Sequence, residues 1–228
     1  MTEKGRRPDK IVVVVPAHNE QALLPSCLDS ISAAVAETAI PAEVIVVLDD
    51  CSDGTAACVM PPTTAVVATG RSVGQARKVG FESSRWTDET WFATTDADSV
   101  VPIHWLTAQI EAVAGGADAY VGTVVGDDWA RWPAEVADRF SAAYQATDGH
   151  RHVHGANLGL WADVYFGVGG FALVDHDEDV DLVNRLRVAG VPIEWSARAP
   201  VITSTRPHGR LSGGFADHLR GLAGEEAS

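Results

Sequence analysis

Runs of continuously apolar residues alternate along the chain with segments in which apolar residues recur every three or four positions. The first run, Ile11–Val15, is β-branched at every position, which is typical of a strand buried on both faces. Segment 24–35 then repeats apolar residues at spacings of four, three and four, as an amphipathic helix does. The same two patterns predict strands at Val44–Leu48, Thr64–Ala68, Trp91–Thr95 and Ala119–Val125, and helices at Val73–Ser84, Ile103–Val113 and Pro133–Ala146.

The alternation of strands and helices predicts the α/β class, with a mostly parallel sheet covered by helices. After residue 148 the pattern is less regular, and the polar segment DGHRHVHGAN indicates a loop. Further strands are predicted at Ala156–Trp161, Ile193–Ser196 and Val201–Thr205, and further helices at Ala162–Gly167 and Val180–Ala189. Because no linker-like stretch divides the chain, we expect one domain over residues 1–228.

The charge balance narrows the range of partners. The chain has 17 basic and 31 acidic residues, a formal net charge of −14. Nucleic acids and anionic lipids bind clusters of Lys and Arg, so we expect neither as a partner. Three cysteines without zinc-site spacing favour a reduced, cytoplasmic compartment. No run approaches the ~20 apolar residues of a membrane span, so we expect no integral membrane segment.

Acidic and small polar residues follow three of the predicted strands. The segment PAHNE (16–20) follows the first strand, DDCSDG (49–54) the second and DAD (96–98) the fourth. Ligands bind outside the carboxyl ends of the strands in sheets of this type. The sequence therefore predicts a polar, acidic ligand site along one edge of the sheet.

Asp96 and Asp98 stand one residue apart, and side chains at positions i and i+2 of an extended segment face the same side. Two carboxylates in this arrangement form an oxygen site for Mg²⁺ or Mn²⁺, completed by substrate phosphates and water. In the alternative interpretation, Asp98 caps the helix that begins near Pro102 and Asp96 is solvated. The acidic ends of the two neighbouring strands favour the metal site.

Two further segments carry candidate chemistry. The loop GRSVGQARK (70–78) leads into a helix, where a helix N-terminus and Arg77 favour an anion such as a diphosphate, against the alternative of a solvated basic face. The segment HDEDVD (176–181) opens another helix. The helix dipole accounts for one or two of its acids, and a carboxylate here is also placed to remove a proton from an acceptor hydroxyl.

Histidines are candidates at two further places. His208 is a candidate metal ligand, with a solvated loop as the alternative. His150, His152 and His154 are interpreted as part of a plain surface loop rather than as metal ligands.

Six motifs together resemble the family 2 glycosyltransferases of GT-A fold. In order, they are VVVVPAHNE, VIVVLDDCSDGT, GQARKVGF, TTDADS, GANLGLWADVYFGVGGF and EDVDLVNRLRVAG, and the resemblance covers roughly residues 10–195. It implies a GT-A-like (Rossmann-like) three-layer αβα domain with a mixed, mostly parallel sheet. It also implies that residues 10–125 bind a nucleotide sugar and that residues 126–228 bind an acceptor.

The resemblance further implies an activity and a role for individual residues. A sugar would move from a UDP- or GDP-linked donor to an acceptor hydroxyl with inversion, in the presence of Mg²⁺ or Mn²⁺. Asp179 would be the general base with Glu178 beside it, and the DxD motif would bind the metal through Asp98. Nucleotide-sugar contacts would fall on Pro16, Ala17, Glu20, Asp49 or Asp50, Arg77, Asp96, Gly155 and Asn157.

Relatives that act on polyprenyl phosphates commonly carry membrane helices, which favours a small soluble acceptor for this shorter chain. A homodimer is kept as a further hypothesis. Two other functions remain open. A sugar-phosphate nucleotidyltransferase would need a Gly-rich basic loop where PAHNE stands, and a non-catalytic nucleotide-sugar-binding protein would need no base at Asp179.

Overall fold

A computed structural model describes residues 6–144, 146–174, 176–207, 209 and 215–224. The strands are β1 (Lys10–Ala17), β2 (Ala42–Asp49), β3 (Thr64–Ala68), β4 (Thr90–Thr94), β5 (Ser99–Val100), β6 (Ala119–Gly126), β7 (Leu158–Trp161) and β8 (Ile193–Thr203). The α-helices are α1 (Leu24–Glu37), α2 (Val73–Ser83), α3 (Trp105–Ala114), α4 (Ala134–Ala143), α5 (Ala162–Gly167), α6 (Glu178–Val188) and α7 (Phe215–Ala223). Short 3₁₀ helices lie at Gly54–Cys58, Trp129–Arg131 and Gly155–Asn157.

The strands form one mixed sheet in the order β3-β2-β1-β4-β7-β6-β8-β5. Parallel pairs join β1 to β2 and β4, β2 to β3, and β6 to β8. Strand β7 runs antiparallel to both of its neighbours, β4 and β6. The carboxyl ends of β1, β2 and β4 consequently lie along one edge, as the sequence predicts.

Helices cover both faces of this sheet, which confirms the predicted α/β class. Val13 and Val15 of β1 pack in one apolar core with side chains from α1 and α3, whereas Val12 and Val14 pack in the other with side chains from α2 and α6. The strand is apolar at successive positions because neither face meets water. Helix α2 approaches the sheet closely, since a Cβ atom at Gly80 would lie 2.4 Å from Cγ1 of Val14.

The second half differs from the predicted elements at several points. The two strands expected at 193–196 and 201–205 are one strand, β8, whose pairing with β6 shifts register between Gly122 and Val124. Pro200 lies in the skipped part of β8 and has no N–H with which to continue the ladder. Strand β7 begins at Leu158 rather than Ala156, because residues 155–157 form a 3₁₀ turn. Helix α7 has no counterpart among the predicted elements.

A small third apolar cluster lies beside the sheet, between α4 and α7. Its buried members are Trp132, Val136, Phe140 and Leu219, and Phe215 and Tyr144 pack against it. The cluster borders the ligand cleft described below. Within the described ranges, no helix combines the length and the apolar character that crossing a membrane requires.

Candidate active site

A cleft of about 540 Å³ runs along the carboxyl edge of the sheet. This volume lies within the range of about 300–1,000 Å³ that is usual for ligand pockets. The cleft brings together ten of the residues predicted from sequence: Pro16, Ala17, Glu20, Asp49, Arg77, Asp96, Asp98, Gly155, Glu178 and Asp179. Asp50 and Asn157 are not among its lining residues, and His208 lies outside the described residues.

Arg77 is buried beneath the cleft, with 2% of its surface exposed. Its Nη2 donates to Oδ1 of Asp96 at 2.6 Å, and its Nη1 donates to Oε1 of Glu178. Burial lowers the pKa of Arg77, but Asp96, Glu178 and Asp179 together raise it by more, so the guanidinium stays charged. Arg77 therefore links the end of β4 to the first turn of α6. A side chain at Gly155 would collide with this link, since its Cβ would lie 2.4 Å from Cζ of Arg77.

A second arginine is surrounded by the acids at the ends of β1 and β4. Arg206 forms a bidentate pair with Glu20, at 2.8 and 2.6 Å, and its Nη2 lies 2.9 Å from Oδ2 of Asp98. The pKa of Asp98 is raised to about 7, chiefly by burial and then by Asp96, while Arg206 acts to lower it. The acids at the ends of β1 and β4 thus carry more negative charge than Arg206 neutralises.

The excess of carboxylates at this edge of the sheet fits the binding of a divalent metal ion. Mg²⁺ and Mn²⁺ are bound through one or two carboxylates, and substrate phosphates and water supply the remaining ligands. Asp96 and Asp98 supply that number of carboxylates, and a cation would relieve their repulsion. Among the described residues, no group of three or more His, Cys, Asp or Glu side chains forms a ready-made metal cage. The site therefore fits an ion that binds together with a phosphate.

Asp179 lies on the opposite wall, in the first turn of α6. Its Oδ2 accepts a 2.7 Å hydrogen bond from the backbone N–H of Gly155, and its Oδ1 accepts one from Val180 N–H at 2.8 Å. Partial burial raises the pKa of Asp179, and the nearby Glu178 raises it as well. Arg77 and the N–H of Gly155 act to lower it, but the pKa stays above its usual value. The helix starts from Asp177, whose φ of 60° lies in the left-handed region. These contacts hold a carboxylate of raised proton affinity against the cleft.

Asp49 and Asp50, which the sequence left as alternatives, occupy different environments. Asp49 is buried on the cleft, where its two carboxylate oxygens accept the N–H groups of Arg71 and Ser72 at 3.0 and 2.9 Å. Asp50 is exposed and lies 3.6 Å from Nε of Arg71. Asp49 is therefore the member of the pair that faces the cleft.

Asn157 is fully buried below the floor of the cleft. Its Oδ1 accepts from Nε1 of Trp105 at 2.9 Å, and its Nδ2 donates to the carbonyl oxygens of Thr123 and Ala199 at 2.9 and 2.8 Å. These bonds tie the 155–157 turn to α3, β6 and β8. The sugar contact that the family resemblance implies for Asn157 stays a prediction, and the geometry gives this side chain a structural task.

The histidine segment 150–154 is not a plain surface loop. His150 is 5% exposed, and the rings of His150 and His152 stack with centroids 5.9 Å apart. His152 also stacks on Tyr144 at 4.1 Å. Sequence reasoning missed Tyr144 and Phe140 as cleft residues and placed both on one face of a helix over 133–146. Helix α4 ends at Ala143, and Tyr144 follows it in an extended conformation.

Residues 12–179, well over half of the chain, match the family described as Glycosyl transferase family 2. The chain belongs to this family. A protein of Pseudomonas aeruginosa (strain LESB58), named undecaprenyl-phosphate 4-deoxy-4-formamido-L-arabinose transferase, is 31% identical to it over 162 residues. The match covers 66% of this chain and 46% of the relative, so the chain spans about half the length of that protein.

Solved structures have the same fold as this family 2 chain. S. aureus TarS 1-349 in complex with UDP-GlcNAc has a TM-score of 0.66 at 14% identity, covering 93% of this chain and 64% of that one. The mannosyltransferase PcManGT from Pyrobaculum calidifontis, in complex with GDP-Man and Mn²⁺, has a TM-score of 0.63 at 18% identity, covering 91% and 59%. At these identities the likeness establishes the fold, and it confirms the predicted GT-A architecture.

Proposed function

We propose that this chain is a glycosyltransferase that moves a sugar from a UDP- or GDP-linked donor to an acceptor hydroxyl with inversion. One observation carries the proposal. A carboxylate of raised proton affinity, Asp179, faces the strand ends at which Asp49, Asp96 and Asp98 converge. The names of the relatives, a transferase and proteins bound to UDP-GlcNAc or GDP-Man, support it.

The strand-end half of the cleft would hold the donor. Pro16, Ala17 and Asp49 would border the nucleoside, and Asp96 would accept hydrogen bonds from the hydroxyls of the donor. A Mg²⁺ or Mn²⁺ ion, held by Asp98 with Asp96 beside it, would offset the charge that develops on the leaving diphosphate. Arg77 would act as a positioning residue, because both of its Nη atoms are already bound to carboxylates.

Asp179 would carry the proton transfer. As the acceptor oxygen forms its bond to the anomeric carbon, the O–H proton passes to the Asp179 carboxylate. The bond from that carbon to the diphosphate oxygen breaks on the opposite face, and its electron pair leaves with the nucleoside diphosphate. Attack opposite to the leaving group inverts the anomeric centre. Glu178 would keep Asp179 in place through its ion pair with Arg77.

The test is the variant Asp179→Asn, which keeps the size of the side chain and removes the base. We expect kcat for glycosyl transfer to fall by about 10²–10⁴-fold, the usual contribution of a general base. Nucleotide binding, measured by calorimetry, should remain close to that of the unmodified enzyme. Undiminished turnover in Asp179→Asn would exclude this residue as the base.

A further inference from the structure

Four near-parallel aromatic rings form a column at the acceptor end of the cleft. They belong to Phe140, Tyr144, His152 and His150, called the ring column below. Phe140 and Tyr144 stack at 4.9 Å and 14°, and Tyr144 and His152 stack at 4.1 Å and 24°. His152 and His150 continue the column at 5.9 Å and 17°. All of these except His150 line the cleft.

Both ends of the ring column are covered. Phe215 meets Phe140 edge-on at 5.6 Å and 87°, and Trp195 meets His150 edge-on at 5.7 Å and 88°. The hydroxyl of Tyr144 accepts a 2.9 Å hydrogen bond from the backbone N–H of Val124, which fixes the orientation of the ring. Because neighbouring rings cover both faces of Tyr144, the column presents ring edges to the cleft.

The ring column leads directly to the proposed base. From His152 the chain continues through Val153 and His154 to Gly155, whose N–H is bound by Asp179 at 2.7 Å. His154 also approaches Tyr144, with ring centroids 5.6 Å apart. His152 and Gly155 are thus three positions apart in the chain, and both line the same cleft as Asp179.

The charges around this end of the cleft disfavour an anion. Asp177, Glu178 and Asp179 line it. Among the lining residues that the structure describes, the Lys and Arg side chains are Arg77 and Arg206, and both are bound to carboxylates. Within the described part of the lining, a phosphate group on the acceptor would meet acids and arginines that are already paired with carboxylates.

Building on the proposed function, we propose that the acceptor is an uncharged, hydroxyl-bearing planar aromatic compound, such as a phenol, whose ring face lies against the edges of the ring column. Ring edges carry partial positive charge and ring faces partial negative charge, so the edge-to-face arrangement is favourable. A stacked sugar would instead need an open ring face, and both faces of Tyr144 are covered.

The chemistry suits such an acceptor. A phenolic O–H has a pKa of about 10, so a carboxylate removes its proton more readily than it removes that of an alkyl alcohol. The proton passes to Asp179 while the phenolic oxygen bonds to the anomeric carbon. The electron pair of the broken carbon–oxygen bond leaves with the nucleoside diphosphate, so the step requires no further reactant.

The experiment first identifies a usable donor and then compares acceptors. UDP- and GDP-hexoses are incubated with the full chain and Mn²⁺ alone, and the donor that is hydrolysed is used thereafter. The acceptors are a simple phenol, a cyclohexanol of the same size, a methyl hexoside and a decaprenyl phosphate. We expect kcat/KM for the phenol to exceed that for each of the others by at least about ten-fold, or ~1.4 kcal/mol.

The variant His152→Ala removes one ring edge from the column. We expect a fall of about ten-fold in kcat/KM for the phenol and a much smaller change for cyclohexanol. Arg151→Ala, at the exposed neighbouring position, is the matched control and should change neither value. The melting temperature of each variant establishes that it is folded.

The outcomes separate this inference from the proposed function. If a donor is hydrolysed but the hexoside or decaprenyl phosphate is the better acceptor, the aromatic assignment is wrong and the glycosyltransferase stands. The same holds if His152→Ala lowers the rates with phenol and cyclohexanol equally. If no donor is hydrolysed or transferred to any acceptor, both proposals fail.

Discussion

Arg77 changes the interpretation of the acids around it. Motif matching assigned this residue to the diphosphate or base, whereas the side chain is buried and its two Nη atoms are bound to Asp96 and Glu178. To reach a phosphate, this buried side chain would have to break its ion pairs with both Asp96 and Glu178. We therefore regard Arg77 as the residue that fixes the donor side of the cleft relative to the base.

Replacing Arg77 by Lys tests this role. A lysine keeps the charge but lacks the planar fork that binds two carboxylates at once. We expect Arg77→Lys to lose about 1–3 kcal/mol in the free energy of unfolding and to lower kcat. Urea denaturation and steady-state kinetics measure the two effects. Lys78→Gln, which removes the partly exposed pair of Lys78 with Glu82 at 3.9 Å, is the control and should cost less than about 1 kcal/mol. A rise in donor KM alone, with unchanged stability, would instead indicate direct contact with the donor.

The raised pKa of Asp179 predicts the pH dependence of the reaction. Asp179 must be ionised to accept a proton, so kcat/KM should fall as the pH drops through its raised pKa. The acidic limb of the profile should therefore lie above the value of about 3.9 that is usual for Asp. A profile of kcat/KM from about pH 4 to about pH 9 measures it. Asp181→Asn, which removes a nearby acid paired with Arg185, should leave the limb in place. A limb at or below the ordinary value would contradict the assignment.

At the scale of elements, the 155–157 turn is fixed by Asn157. Three hydrogen bonds from this one side chain join the turn to α3, β6 and β8. The turn in turn presents the Gly155 N–H to Asp179. The position of the base thus depends on a buried amide that does not line the cleft.

The variant Asn157→Ala distinguishes structural from substrate-binding roles. It leaves the Thr123 and Ala199 carbonyls and the Trp105 indole N–H without their partner, at about 1–3 kcal/mol for each buried group. We expect a loss of several kcal/mol in the free energy of unfolding, measured by urea denaturation. Asn184→Ala, at an exposed position of α6, is the control and should stay within about 0.5 kcal/mol. Unchanged stability with a raised KM for the donor would favour the sugar contact that motif matching implies.

The same elements define the limits of sequence-based prediction. Strands β1 to β4 and helices α1 to α3 followed from periodicity, because each is either apolar throughout or amphipathic. Asp98 and Asp179 followed from strand-end acids and the acidic start of a helix. The ion pair between Arg77 and Glu178 could not be predicted, since the two residues lie 101 positions apart and are brought together only by the packing of α6. The ring column could not be predicted either, because its members belong to a helix end and a polar segment.

At the scale of the whole molecule, an acidic protein is proposed to bind an anionic donor. The formal charge is −14, and acids surround the site where a diphosphate would lie. Binding of the nucleotide and of the metal should therefore depend on each other, since each one supplies charge that the other needs.

Thermal shift with UDP or GDP, in the presence and absence of Mn²⁺, measures this dependence. We expect small shifts with Mn²⁺ alone or nucleotide alone, and a large shift with both. A ligand at 100 times its Kd stabilises the native state by about 2.7 kcal/mol. Ca²⁺ in place of Mn²⁺ provides a control for ionic strength. A full shift with nucleotide in the presence of EDTA, or tight binding of Mn²⁺ to the protein without nucleotide, would contradict the proposed metal site.

The antiparallel strand β7 also has a consequence for how the protein is made. It lies between β4 and β6, so strands β1 to β4 cannot join β6 and β8 until residues 158–161 leave the ribosome. Until then β4 exposes a row of unpaired backbone groups, which is a template for pairing with another chain. A nascent chain stalled before residue 158 should therefore aggregate and be digested by proteases, whereas one extended past β8 should resist them.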